Sequence, residues 1–236
     1  MTAPAIDKRE ARIRQMFGAI APRYDLLNHL LSLNIDRSWR RRTTRRVPPR
    51  GTAPILDVCT GTGDLALAYA EAAGPNVPVV GADFCHPMLV RAVEKSRRHN
   101  IRYVEADAQA LPFPPDKFQI ACVAFGLRNV TNTQRGLAEL ARVTRPGGRV
   151  AILEFSKPRH WLLGRLYRLY FTQILPRFGQ AVSRSPDDAY RYLPASVAEF
   201  PDFEALTAQM EQHGLTQTRY WPMTCGIATL YVGVKA

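Results

Sequence analysis

The chain has 236 residues, 46% of them hydrophobic and 22% charged. That length and composition suit one globular domain with a substantial core and exclude a disordered, collagen-like or disulfide-scaffold chain. Lysine and arginine outnumber aspartate and glutamate by 32 to 20, a net charge of +12, which directs attention to an anionic partner, either nucleic acid or a membrane surface.

Met1 to Phe17 mixes Asp7, Lys8, Arg9, Glu10, Arg12 and Arg14 with no apolar core of a secretory signal, so a cytoplasmic location is expected. Helical periodicity runs from about Asp7 to Arg46, with a break at Pro22, and ends at the loop Val47-Pro48-Pro49-Arg50-Gly51. Residues 1–50 read as a helical lid segment and 51–236 as the main body of a single structural domain. From Pro54 onward apolar runs alternate with helical stretches: Ile55 to Val58, Pro78 to Ala82, Ile101 to Val104, Phe118 to Phe125 and Arg149 to Phe155. Such alternation predicts an α/β fold with a parallel sheet. An aromatic and basic segment follows, Trp161 to Leu175, and Ser185-Pro186-Asp187-Asp188 reads as the start of another helix. Pro201 to His213 is expected to be the last helix, ended by Gly214, before two strands, Leu215 to Trp221 and Ile227 to Val234, paired as an antiparallel hairpin. The charge-free run from Tyr220 to Val234 contains Pro222 and Gly226, so it is not a membrane-spanning helix.

Cys59, Cys85, Cys122 and Cys225 form no C-x-x-C pair, and the five histidines lack zinc-site spacing. Reduced thiols and no metal site are expected.

The strongest chemical signal is Ile55-Leu56-Asp57-Val58-Cys59-Thr60-Gly61-Thr62-Gly63-Asp64, a buried strand running into a glycine turn and a helix, which aims backbone N–H groups at a ligand. Asp83 follows Gly63 by 20 residues at the end of the second strand, where a carboxylate accepts from ribose hydroxyls. The spacing Gly61-x-Gly63-x-x-Ala66 also passes as a dinucleotide fingerprint. Asp57 tilts the reading toward a cationic ligand such as S-adenosyl-L-methionine, which carries an ammonium and a sulfonium. Asp107, after the third strand, is placed to reach an adenine amino group, with Ala108 beside it.

Three segments carry a specific resemblance: Tyr24-Asp25-Leu26-Leu27-Asn28-His29-Leu30-Leu31-Ser32 with Trp39; Phe125-Gly126-Leu127-Arg128-Asn129-Val130; and Arg142-Val143-Thr144-Arg145-Pro146-Gly147-Gly148-Arg149 running to Glu154-Phe155-Ser156. They resemble the ubiquinone/menaquinone biosynthesis C-methyltransferase family, in the same order from about Met16 to Val234. The resemblance implies the class I methyltransferase fold, a Rossmann-like seven-stranded sheet, mostly parallel, with the last strand antiparallel. It also implies S-adenosyl-L-methionine as methyl donor and a polyprenyl hydroquinol as acceptor, either in the step from demethylmenaquinol to menaquinol or in the 2-polyprenyl-6-methoxy-1,4-benzoquinol step of ubiquinone synthesis. Carried over by position, cofactor contacts fall on Thr62 in the Gly61–Gly63 turn, on Asp83, and on Asp107 and Ala108. Three positions depart: Cys59 stands where many methyltransferases have glycine, Asp36 where the family usually has histidine, and Ala124 where some members have a cofactor-contacting serine.

A hydroquinol hydroxyl has a pKa of about 10, so ionising it at pH 7 costs roughly 4 kcal/mol, and the ring carbon is the better nucleophile once ionised. Arg128, just past the fourth strand, is the candidate cation to offset that cost, although pairing with a structural acid is the competing reading. Tyr24 and Asp25 in the lid are candidates for a proton acceptor or an orienting hydrogen bond, while His29, among leucines, reads as a partly buried helix histidine. An RNA methyltransferase or one acting on another small phenolic acceptor is the alternative, but the exocyclic-nitrogen type would carry Asn-Pro-Pro-Tyr where this chain has Ala124-Phe125-Gly126-Leu127. The surplus charge is then assigned to peripheral contact with an anionic membrane. No nucleic-acid partner is expected, and an oligomer is left open.

Overall fold

The computed structural model describes residues 9–32, 34–169 and 189–236. Three helices come first, α1 (Glu10–Ile20), α2 (Tyr24–Leu31) and α3 (Ile35–Arg46). The break at Pro22 is a single tight turn over Ala21–Arg23, since proline lacks the N–H that would continue the ladder. A second break, invisible in the hydrophobic periodicity, falls where Asn34 takes φ +61°. Asparagine tolerates this left-handed conformation at small cost.

The alternating region comprises β1 (Ile55–Val58), α4 (Asp64–Ala73), β2 (Val79–Asp83), α5 (His86–Lys95), β3 (Ile101–Glu105), β4 (Phe118–Ala124), α6 (Thr133–Val143) and β5 (Thr144–Phe155). Then come α7 (Trp161–Leu169), α8 (Ala189–Glu199), α9 (Glu204–Gln212), β6 (Leu215–Met223) and β7 (Ala228–Lys235). The expected helix start at Ser185 to Asp188, and the part of the aromatic segment from Tyr170 to Leu175, lie outside the described residues.

The seven strands form one sheet in the order β3-β2-β1-β4-β5-β7-β6. Strands β1 to β5 pair in parallel, and β7 is antiparallel to both β5 and β6. This is the seven-stranded sheet with an antiparallel last strand that the resemblance implies. Strand β5 begins at Thr144 rather than at the expected Arg149. Pro146-Gly147-Gly148 looks like a turn in sequence, but Gly147 takes φ +69° and a register shift against Phe118–Ile120 absorbs it inside the strand as a bulge.

Burial follows the pleat. Leu56 and Val58 of β1 join one core with Phe118, Val123, Leu137 and Ile152, while Ile55 packs into the opposite one with Leu65, Tyr69, Ile120 and Leu153. A third cluster fastens the N-terminal helices: Ile13, Met16 and Ile20 pack with Cys85 and Met88 near α5 and with Tyr167 and Tyr192. At about 1.5–3 kcal/mol per buried large side chain, this contact holds α1 against the body. Because β2 and β3 lie on one side of β1 and β4 on the other, the strand order reverses between β1 and β4, which fixes a crevice at the carboxyl ends of those strands.

Candidate active site

The turn after β1 folds as it does because three of its residues adopt positive φ: Cys59 at +52°, Gly61 at +56° and Gly63 at +83°. Cys59 thus holds a conformation that suits glycine, the residue many methyltransferases carry there, and the strain sits at the edge of the crevice. Asp57, 1% exposed, pins this turn to α4. Its Oδ2 accepts from the Thr60 hydroxyl at 2.6 Å and from the Ala66 N–H at 3.0 Å, so an oxygen that the sequence offered to a cationic ligand is bonded within the chain. Burial pushes its pKa up to about 7 against those two donors.

Asp83 ends β2 with Oδ2 accepting from the Gly61 N–H at 2.8 Å and Oδ1 from the Cys85 N–H at 2.9 Å. Burial raises its pKa to about 6 despite these bonds. Asp107, past β3, accepts from the Gln109 backbone N–H at 2.9 Å, with Ala108 buried beside it. Together Gly61, Asp83, Asp107 and Ala108 border a narrow crevice of about 60 Å³, faced across the gap by Glu10, Ile13, Phe17 and Tyr24. Four of the six residues expected to bind the cofactor are therefore brought together.

Thr62 and Gly63 are not at this crevice. Thr62 borders a second, larger cavity, and its hydroxyl donates to Asp25 of α2 at 2.5 Å while accepting from the Lys95 ammonium at 3.2 Å. Gly63 borders neither cavity. A Cβ there would lie 2.5 Å from the Tyr103 hydroxyl, so packing and positive φ both demand glycine.

The second cavity, about 360 Å³, shares Phe17, Tyr24, Gly61, Ala124 and Phe125 with the crevice. Its walls are aromatic: the Phe125 and Phe155 rings lie 4.6 Å apart, and Trp39 lies 5.8 Å from Phe125 and 6.1 Å from Phe155. The Trp39 indole N–H donates to the Thr224 hydroxyl at 2.8 Å.

Arg128 borders this cavity but is 6% exposed. Its Nη1 donates to Glu154 at 2.8 Å and to the Phe125 carbonyl at 2.5 Å, and its guanidinium lies 5.3 Å from the Phe155 ring centroid. Glu154 is fully buried, so the competing reading of Arg128, an ion pair with a structural acid, is present alongside its position at the cavity. Tyr24 stands at the junction of both cavities. Burial raises its pKa against the pull of Asn28, Arg128 and Arg40, which keeps the phenol protonated at neutral pH. It suits an orienting hydrogen bond and not proton acceptance.

His29 approaches Asp36 at 3.0 Å through Nδ1. His29, Asp36 and Asp64 bring ligand-type atoms within 4.8 Å of one another, but Arg40 bonds to Asp36 and lies 3.4 Å from Asp64, supplying the positive charge. The sequence reading missed Arg40, Asp64, Lys95 and the role of Glu154. Only Glu154 left a signal, a carboxylate inside the apolar run Val150 to Phe155, which demands a buried partner.

Known proteins resemble this chain over nearly its whole length. The model of the ubiE/COQ5 methyltransferase family matches residues 5–235. The Ubiquinone/menaquinone biosynthesis C-methyltransferase UbiE of Citrifermentans bemidjiense is 46% identical over 235 residues, covering 98% of this chain and 99% of that protein. The Demethylmenaquinone methyltransferase of Thermus thermophilus is 48% identical over 220 residues, 92% of this chain and 99% of the relative. Among solved structures, a SAM-dependent methyltransferase of Thermotoga maritima, described as a possible histamine N-methyltransferase, superposes with a TM-score of 0.69 at 16% identity over 95% of this chain and 100% of its own. That likeness establishes the fold. With its sheet, its crevice and near full-length similarity to named methyltransferases, the chain belongs to the ubiE/COQ5 methyltransferase family.

Proposed function

We propose that this methyltransferase transfers the methyl group of S-adenosyl-L-methionine to a ring carbon of a polyprenyl hydroquinol, converting demethylmenaquinol to menaquinol, performing the 2-polyprenyl-6-methoxy-1,4-benzoquinol step of ubiquinone synthesis, or both. The observation that carries this reading is the aromatic cavity of about 360 Å³ opening beside the carboxylate-bearing crevice, within the size range of small-molecule sites. Gly61, Asp83, Asp107 and Ala108 hold the adenosine, Thr62 steadies the turn beneath it, and Gly63 lets that turn form. The acceptor ring stacks among Phe125, Phe155 and Trp39, with Arg128 lowering the pKa of one ring hydroxyl and Tyr24 orienting it. The ring carbon attacks the sulfonium methyl in line at about 3 to 3.5 Å. The carbon–methyl bond forms as the sulfur–methyl bond breaks, leaving a neutral thioether, and the ring restores aromaticity by releasing its C–H proton to solvent.

A polyprenyl tail keeps the acceptor in a bilayer, so the enzyme works at the cytoplasmic membrane surface as a peripheral protein. No helix of the described residues is long and apolar enough to cross a membrane. Surface contact is supported by the exposed apolar side chains Leu26, Ile35 and Trp161 and by the exposed arginines of α3, Arg37, Arg41, Arg42 and Arg45. Each basic residue near an anionic leaflet adds about 1 kcal/mol. The helices of residues 9–46 act as the lid over both cavities. Incubation with labelled S-adenosyl-L-methionine and a panel of demethylated benzoquinols and naphthoquinols tests the reading; label in RNA or a simple phenol, with none in a quinol, would replace it.

A further inference from the structure

Lys95, the last residue of α5, reaches into a group of oxygens supplied by three other segments. Its ammonium lies 2.7 Å from Asp25 Oδ2 on α2, 2.6 Å from Asp64 Oδ1 at the start of α4, and 3.2 Å from the Thr62 hydroxyl in the glycine turn. Thr62 in turn donates to the other oxygen of Asp25 at 2.5 Å. Arg40 on α3 extends the group by bonding Asp36 and approaching Asp64 at 3.4 Å. Burial works against the ionised Asp64, yet Arg40 and Lys95 hold its pKa below the ordinary carboxylate value. Two cations and three carboxylates thus tie α2 and α3 to the turn and to α4.

These contacts cross the line along which the N-terminal helices would have to part from the body. The crevice beneath α1 and α2 is narrow, about 60 Å³, and is roofed by Glu10, Ile13, Phe17 and Tyr24 of those helices. A nucleoside passing between Asp83 and Phe17 displaces this roof, so the helices lift as it enters or leaves. Lifting α2 separates Asp25 from both Lys95 and Thr62, so the ionic contacts must open each time cofactor enters or leaves. The cluster is partly solvated, with Asp25, Lys95 and Asp64 side chains 34%, 28% and 21% exposed. Such pairs are modest in strength and weaken with salt, which suits a contact that must open in every cycle.

We propose that Lys95 is a positioning residue that clasps the lid to the glycine turn and thereby sets the rate of cofactor exchange. It rests on the reading that the crevice takes S-adenosyl-L-methionine. Lys95 touches no reacting atom: it acts through Asp25 and Thr62, holding the lid down while methyl transfer proceeds.

The test is the dissociation rate of labelled S-adenosyl-L-methionine from wild type, Lys95→Met and Lys95→Arg at low and high salt. At low salt the Lys95→Met chain is expected to release cofactor about three- to tenfold faster than wild type, with the arginine variant restoring the slow rate. Wild-type release is expected to accelerate as the Debye length shrinks from about 10 Å to about 3 Å between 0.1 and 1 M salt, approaching the rate of Lys95→Met, whose salt dependence is smaller because, of the cluster's ionic contacts between lid and body, only Arg40–Asp64 remains. Replacing a lysine that merely stabilised the fold would lower the melting temperature and leave the salt dependence of release unchanged, an outcome that would also overturn the clasp. Release from Lys95→Met at the wild-type rate, with the wild-type salt dependence, would overturn the clasp alone. A wild-type chain that binds no S-adenosyl-L-methionine would overturn the cofactor reading and the clasp with it.

Discussion

Replacing Asp83 by asparagine separates the energetics of the empty crevice from those of the cofactor. Asp83 is 6% exposed, and burial lifts its pKa from 3.8 to about 6. A carboxyl raised in the folded state contributes stability that is whole below pH about 4 and is lost as pH rises through about 6. At about 1.36 kcal/mol per pH unit the loss is roughly 3 kcal/mol at pH 7. Asp83→Asn removes that penalty but offers one oxygen to two backbone donors, Gly61 N–H and Cys85 N–H, stranding one at about 1–3 kcal/mol. The two effects nearly cancel, so the cofactor-free variant should melt within about 2 kcal/mol of wild type at pH 7. Cofactor binding has no such compensation, because an amide cannot accept from both ribose hydroxyls. Affinity should fall by about 1–3 kcal/mol, roughly 5- to 150-fold. Below pH 6 wild-type affinity should decline by up to about tenfold per pH unit as Asp83 protonates, a decline the variant lacks. Asp57, with its own pKa near 7 raised by burial and in part by the Asp83 charge, titrates in both proteins, so the diagnostic is the decline below pH 6 that only wild type shows. Calorimetry across pH 5 to 8 with parallel melting curves is the assay, and unchanged affinity or an unchanged pH profile in Asp83→Asn would remove Asp83 from the ribose site.

Arg128→Ala alone would strand the buried Glu154 carboxylate at about 3–5 kcal/mol, so the paired change Arg128→Met with Glu154→Gln is the cleaner probe. It should bind cofactor normally and lose methyl transfer, with the deficit shrinking as pH rises toward the hydroquinol pKa; full turnover at pH 7 would reject the role of Arg128. Cys59→Gly should relieve the positive φ at residue 59 and raise stability by up to about 1 kcal/mol in thermal melts, a gain that a clear loss would contradict. Trp39→Ala removes a side chain 3% exposed and its bond to Thr224. A cost of about 3–5 kcal/mol in urea unfolding is expected, and a change below 1 kcal/mol would deny Trp39 its structural place. Cosedimentation should show binding to anionic vesicles that is lost at high salt; equal binding to neutral vesicles, or none to either, would reject electrostatic attachment.

Most of the sheet was legible because buried parallel strands write themselves as short apolar runs: Ile55–Val58 and Phe118–Ala124 stand out from helices of a different period. The bulge at Pro146–Gly148 was not, since those residues spell a turn unless a neighbouring strand is known to shift register. At the site, Gly61, Asp83 and Asp107 were readable from their offsets within successive strand–turn units. The pairing of Arg128 with Glu154, 26 residues apart, and of Lys95 with Asp25, 70 apart, is set by how β5 and the N-terminal helices pack; the lone acid in the apolar run shows that Glu154 needs a buried partner, but spacing does not say which one. Thr62 shows the limit from the other side: its position in the turn was right, while its hydroxyl turned out to be bonded to the lid.

The most direct measurement is product analysis after incubating the purified chain with methyl-labelled S-adenosyl-L-methionine and demethylated polyprenyl hydroquinols presented in anionic vesicles. The label should appear on a ring carbon, with S-adenosylhomocysteine formed in equal amount and no label on a hydroxyl oxygen. Label on oxygen, or no quinol product while RNA or a simple phenol is methylated, would contradict the assignment.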